Sequence, residues 1–261
     1  MPWQTLHLTH QSHVATVTLN RPEVRNAFNA DSIAELRQVF TLLGQDEAVR
    51  AIVLAANGKA FCAGADLQWM QQMAQFSAEE NHADAVRLAT MLQTIYLCPK
   101  PVVAKVQGDC VGGGVGLIAA CDIVLAADTA HFCLAEVKLG LIPATIAPYV
   151  IRAMGQQAAR RYFLTAERFS AQEAYRIGLL HEVVAAQSLA ASVDGVVQAL
   201  AANGPQALRQ AKALVREMAG RAITDEVMAD TAKQIAQIRA SDEGREGVNA
   251  FLEKRKPAWV I

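Results

Sequence analysis

Twice in this chain a short apolar run ends in a loop built of small residues. Ala51–Ala55 (AIVLA) leads into Gly58–Leu67 (GKAFCAGADL), and Pro101–Val106 (PVVAKV) leads into Gln107–Leu117 (QGDCVGGGVGL). A continuous apolar run reads as a strand covered on both faces, the pattern of a parallel sheet. Parallel strands need crossover connections, usually helices. Leu67–Met73 and Ala78–Leu97 have the helical periodicity to supply them. Strand, small-residue loop and helix in repeated order commit the chain to an α/β fold.

The flanking segments extend the same pattern. His13–Leu19 (HVATVTL) and Ile123–Ala126 (IVLA) are strand-like. Asn29 or Asp31 is placed to cap a helix over Ser32–Leu43, whose Ile33, Leu36, Phe40 and Leu43 share one face. From Ser188 onward only helices are expected: Leu189–Ala202, Pro205–Ala219, Asp225–Ala240 and Glu243–Lys254, with breaks at Gly204–Pro205 and Gly220. The expected division is an α/β core over residues 1–190 and a helical region over 191–261. Apolar residues of the tail (Val227, Ala232, Ile235, Ile238, Phe251) call for cover from the body or from a neighbouring subunit.

Composition excludes several classes. The hydrophobic fraction is 52%, yet the uncharged stretch around the glycines, Cys110–Cys121, is shorter than the roughly 20 residues of a spanning helix. A net charge of −1 gives no basic field for nucleic acid, and the Lys and Arg residues are dispersed without interleaved aromatics. Five cysteines (62, 98, 110, 121, 133) without a C-x-x-C pair read as reduced, buried thiols. The opening Met-Pro-Trp-Gln-Thr lacks the features of a secretion signal, so a cytoplasmic protein is expected. The six histidines show no metal-ligand spacing, and no metal is expected; His7, His10 and His13 read as surface residues around a strand.

The two loops are where chemistry is expected. Ligands of α/β proteins sit beyond the carboxyl ends of strands, near helix N-termini. The first N–H groups of a helix have no partner within it and can donate to a developing negative charge. Three consecutive glycines also suit a plain tight turn. A dinucleotide fingerprint fails because Leu117 stands where a third glycine is required, and no P-loop, nucleophile elbow or H-E-x-x-H helix is present.

Gly58–Leu67, Gly112–Gly114, Cys121-Asp122-Ile123 and Glu136–Pro143 (EVKLGLIP) together resemble the enoyl-CoA hydratase/isomerase (crotonase) superfamily. The likeness runs from Leu19-Asn20-Arg21-Pro22 and Asn26-Ala27 to Phe251–Lys256 (FLEKRK). It implies a spiral of ββα turns with a C-terminal helical region for subunit packing, assembled as trimers or dimers of trimers. It implies that Ala65 and Gly113 donate amides to a thioester oxygen and that Glu136 moves protons. Arg25, Ala27, Ala63, Asp66, Leu67 and Gly112 would line the substrate path. Phe251 and Lys254 would approach the adenosine and phosphate of CoA, often in a neighbouring subunit. Without the resemblance, Lys254 reads as a solvated basic tail. CoA enters as part of an acyl-CoA substrate, and no separate cofactor is implied.

One departure is plain. Hydratases of this family usually carry a second glutamate two positions after the glycines, and here that position is Gly116. By itself Glu136 could also be a helix N-terminal acid. As a lone catalytic acid it suits two reactions. The first is hydration of a 2-enoyl-CoA to a 3-hydroxyacyl-CoA, with 3-methylglutaconyl-CoA or isohexenylglutaconyl-CoA as the substrate type. The stretch GGGVGLIAACDI followed by EVKLGLIPATIAPYVIRAMGQQAARRYFLTAERF, with Ala144–Tyr149 in place of the family's commoner Gly-rich turn, resembles bacterial members of that group. The second is Δ3,Δ2-enoyl-CoA isomerisation, in which one acid shuttles a proton. A distal substrate carboxylate would call for a cation, with Lys105, Lys138 and Arg152 as candidates. Trp69, Met70 and Met73 read as a core stripe or as an acyl-tunnel wall.

Overall fold

The computed structural model describes residues 3–260. The chain opens with β1 (Leu6–Gln11), β2 (Val14–Leu19) and α1 (Ala30–Gln45). Asn29, not Asp31, caps α1: its side chain accepts from Ser32 N–H at 2.9 Å while Ser32 Oγ accepts from Asn29 N–H at 2.9 Å. Ile33, Leu36, Phe40 and Leu43 are all buried, as their shared face requires. His7 and His10 lie exposed on β1.

Three turns of one pattern follow. β3 (Ala51–Ala56) and β4 (Ala60–Cys62) lead to α2 (Leu67–Met73) and α3 (Ala78–Leu97). β5 (Val102–Val106) and β6 (Asp109–Val111) lead to α4 (Gly113–Ala119). β7 (Ile123–Ala127) and β8 (His131–Cys133) lead to α5 (Ala147–Thr165). This is the expected spiral of ββα turns. β9 (Phe169–Ser170), α6 (Ala171–Arg176) and β10 (Glu182–Val184) complete the body, and α7 (Leu189–Ala201), α8 (Pro205–Met218), α9 (Asp225–Ala240) and α10 (Asp242–Leu252) follow. The helix expected to reach Lys254 ends at Leu252.

The first strand of each turn enters a six-stranded sheet, ordered β1-β2-β3-β5-β7-β10; the second enters a four-stranded sheet, ordered β4-β6-β8-β9. Among the described residues, only the β1–β2 and β8–β9 pairs are antiparallel. Side-chain alternation sends Ile52, Leu54, Val102, Ala104 and Val106 into the main core between the layers. It sends Ala51, Val53, Ala55 and Val103 to the outer face, where Leu189, Val193 and Val197 of α7 cover them. The first of the four expected tail helices thus lies on the body. Lys105 belongs to that outer face and lines a cavity of about 580 Å³ between the sheet and α7. It is therefore turned away from the small sheet, which removes it as the cation for a substrate carboxylate.

The remaining helices are held more lightly. Lys212 of α8 donates to Asp122 at 2.6 Å and to the Lys100 carbonyl at 3.0 Å. α9 buries no side chain, and α10 buries only Ala250. Val227 and Ile238 are half-buried, while Ala232, Ile235 and Phe251 are exposed. All five cysteines are free, with Cys62, Cys98 and Cys110 buried; burial pushes the Cys62 thiol up to about 12. No helix among the described residues is long and apolar enough to cross a membrane.

Candidate active site

The small sheet sets the geometry. β4, β6 and β8 lie side by side and parallel, with Cys62 opposite Cys110 and Val111 opposite Cys133. Ala65 follows β4, Gly113 opens α4 just after β6, and Glu136 opens a 3-10 turn (Glu136–Leu139) just after β8. Three chemically useful positions therefore lie beyond the carboxyl ends of three neighbouring strands.

Phe28 holds the first of them. Its N–H donates to the Gly64 carbonyl at 2.7 Å, and its carbonyl accepts from Asp66 N–H at 2.8 Å. Phe28 thus straddles Ala65 as a parallel bridge partner, which directs the N–H and C=O of Ala65 to the opposite side. Among the described residues the Ala65 amide meets no protein acceptor. Neither does that of Gly113, the first residue of α4. The loops carrying these amides touch through their backbones: a Cβ on Gly114 would fall 2.7 Å from the Cys62 carbonyl oxygen. A Cβ on Gly113 would fall 2.9 Å from the Phe28 ring. Small residues are a condition of this approach.

Glu136 lies against Gly112. A Cβ on Gly112 would fall 2.9 Å from Glu136 Oε1, and Gly112 holds φ 51° and ψ −117°, backbone that suits glycine. Its N–H donates to the Cys133 carbonyl at 2.8 Å, tying the α4 start to β8. Glu136 Oε2 is buried with no hydrogen-bond partner among the described residues. Burial disfavours the carboxylate and raises this acid above its ordinary value. An acid in that setting takes up and gives back a proton closer to neutral pH.

The Gly116 position is sealed. A Cβ there would collide with Ile146 Cγ2 and lie 2.5 Å from Ile146 Cβ. Gly116 and Ile146 are both buried, so hydrocarbon fills the place where the family's second glutamate would project.

The other expected residues fall into two groups. Arg25, Ala27, Ala63, Asp66 and Leu67 cluster around the Ala65 loop. Arg25 adopts a left-handed backbone (φ 55°), and its carbonyl accepts from Ala63 N–H at 3.0 Å. The Ala27 carbonyl accepts from Arg21 at 2.7 Å, and Leu67 is exposed beside Ala65. Asp66 is buried and engaged: one oxygen caps α2 through Gln68 N–H at 2.9 Å, and the other pairs with Arg21 at 2.8 Å. Burial alone would raise this acid, but Arg21 and the two capping amides hold it below its ordinary value. Its side chain fixes the loop. Phe251 and Lys254 form the second group, exposed at the end of α10, which rests on α8 and α9. α8 is anchored at Lys100 and Asp122, before β5 and β7 and so away from the strand ends that carry the site. No hydrogen bond among the described residues joins either of these two to Glu136.

Lys138 and Arg152 are both exposed. Trp69 is buried in the main core, with Met73 packed against it, so core packing holds for both. Sequence reading missed the roles of Phe28 and Ile146, and of Asn26. The buried Asn26 amide donates to the Asn57 and Ala60 carbonyls at 2.8 and 3.0 Å and braces the entry to β4. The Asn26-Ala27 motif was visible, but its bracing contacts are long-range.

The fold and this arrangement define a crotonase-type protein. Residues 9–260 match the family model described as enoyl-CoA hydratase/isomerase, and the chain belongs to that family. It is 32% identical over 262 residues to a crotonyl-CoA hydratase of Syntrophomonas wolfei, covering 100% of this chain and 99% of that one. The crystal structure of an enoyl-CoA hydratase from Shewanella pealeana superposes with a TM-score of 0.96 at 44% identity, covering 98% of this chain and 96% of that one. Pseudomonas aeruginosa AtuE superposes at 0.94 with 37% identity, covering 99% and 100%.

Proposed function

We propose that this chain is a lyase that hydrates a 2-enoyl-CoA thioester to the 3-hydroxyacyl-CoA. The observation that supports this reading is that two amides without a protein acceptor and a half-buried acid with one unpartnered oxygen follow the carboxyl ends of the neighbouring strands β4, β6 and β8. Family membership and hydratase relatives favour the same chemistry. As water bonds to C3, Glu136 takes its proton and negative charge moves to the thioester oxygen. The Ala65 and Gly113 amides stabilise that oxygen where the charge develops. Collapse of the enolate takes the proton from Glu136 to C2. Arg25, Ala27, Ala63, Leu67 and Gly112 line the path of the CoA arm, and Asp66 acts by holding their loop. Phe251 and Lys254 reach the adenosine end from a neighbouring subunit.

A 3-methylglutaconyl-CoA or isohexenylglutaconyl-CoA type of substrate is the finer reading, supported by the sequence likeness through Ala144–Tyr149. Of the three cations first considered, Lys138 and Arg152 remain for its distal carboxylate. A second reading, Δ3,Δ2-enoyl-CoA isomerisation, is favoured by the hydrocarbon at Gly116, which leaves Glu136 without a second acid. A panel of crotonyl, 3-methylcrotonyl, 3-methylglutaconyl and 3-enoyl esters in heavy-oxygen water separates these readings. Hydration is expected to place the label in the 3-hydroxy product, fastest with the dicarboxylic ester; unlabelled, double-bond-shifted product would overturn it.

The assembly proposed is a trimer or dimer of trimers. Support comes from the apolar tail, where Phe251 is 81% and Leu252 71% exposed in the single chain. Light scattering is expected to give a multiple of three times 28.1 kDa. A monomer at assay concentration would remove both the assembly and the shared CoA site.

A further inference from the structure

We infer that Ile146 is a specificity-determining residue: its side chain occupies the space along α4 that a second acid would need, and so restricts the site to one. The inference rests on the reading of Glu136 as the resident acid and extends it to the opposite wall. Gly112 is the residue that precedes α4 and Gly116 lies one turn into it, the Gly116 N–H donating to the Gly112 carbonyl at 3.3 Å. Glu136 stands against Gly112 and Ile146 against Gly116. Ile146 lies just before α5, in the Ala144–Pro148 segment that departs from the common family sequence, and α5 packs on α4. The two departures, glycine at 116 and isoleucine at 146, are thus one physical event. A side chain cannot be added at 116 while Ile146 stays.

The distances say which change reverses it. Trimming Ile146 to alanine leaves its Cβ, which would still lie 2.5 Å from a Cβ at position 116. Only glycine at 146 clears the space, because Ile146 Cα is 3.6 Å away, an ordinary contact. Ile146 makes no side-chain cap to α5, so glycine there removes no cap.

The test uses the full chain, thermal melting and crotonyl-CoA hydration. Gly116→Ala is expected to lower the melting temperature by several degrees in the natural background and by far less beside Ile146→Gly. Gly116→Glu alone is expected to destroy turnover. The paired Gly116→Glu, Ile146→Gly protein is expected to hydrate crotonyl-CoA at least about tenfold faster than Ile146→Gly alone, since a positioned acid contributes 10²–10⁴-fold. Equal melting losses for Gly116→Ala in both backgrounds would overturn the inference, and so would a paired variant no faster than Ile146→Gly. An active Glu136→Gln protein would instead fell the underlying reading while leaving the melting coupling in place.

Discussion

Glu136→Gln is expected to lower kcat by about 10²–10⁴-fold, the range of a positioned acid-base group, with CoA-ester binding retained. Glutamine keeps the shape but cannot carry the proton from water to C2. The two amides still hold the thioester oxygen, so binding measured by calorimetry with a slow substrate should change little. Wild-type turnover would remove Glu136 from the mechanism. The same variant also has a stability signature. Burial raises the folded-state pKa of Glu136, so the folded protein holds this proton more tightly than the unfolded chain does. That contribution is complete below the ordinary glutamate value and is lost as pH rises through the folded value. The melting temperature of Glu136→Gln relative to wild type should therefore climb as pH rises from that acid range towards alkaline. A flat difference would contradict the burial of an unpartnered carboxylate oxygen.

Gly112→Ala should be nearly as damaging, for a different reason. The new Cβ would press to 2.9 Å from Glu136 Oε1 and force a side chain into backbone at φ 51° and ψ −117°. Backbone strain of this kind costs about 1–3 kcal/mol. The displaced carboxylate matters more for rate, since a misplacement of about 1 Å can cost about a hundredfold. Gly220→Ala is the control, because Gly220 also has a positive φ (78°) but nothing within 4 Å of its added Cβ. Both variants should lose stability, and only Gly112→Ala should lose about a hundredfold in kcat. Equal kinetic losses would mean that the contact with Glu136 is unimportant.

Elements with an unbroken pattern and a cap were legible in the sequence, and the shortest strands and the interrupted α5 were not. α2, α3 and α9 begin and end where periodicity places them, because Asp66, Ser77 and Thr224 cap clear amphipathic runs. β4 and β6 have only three residues each, too few to alternate, and they were hidden inside loops. α5 was not assigned: Gly155, at φ 75°, breaks its pattern midway. The candidate site residues were read from the family resemblance carried by the two small-residue loops and the Glu136 segment. Phe28 and Ile146 were not, because each acts through contact with a distant glycine. The glycine at 116 and the altered segment at 144–148 were both visible as departures, but only packing joins them.

Phe28 has a consequence for how rate data on this protein should be read. One phenyl ring and one peptide bridge stand between the Ala65 and Gly113 amides, and neither carries an ionisable group. The ring itself is indifferent to acidity, and the Arg21–Asp66 pair that fixes the Ala65 loop keeps its charge because Asp66 is held below its ordinary value. A titration of turnover towards neutral pH is therefore expected from Glu136, whose acid is raised, rather than from Asp66, whose acid is lowered.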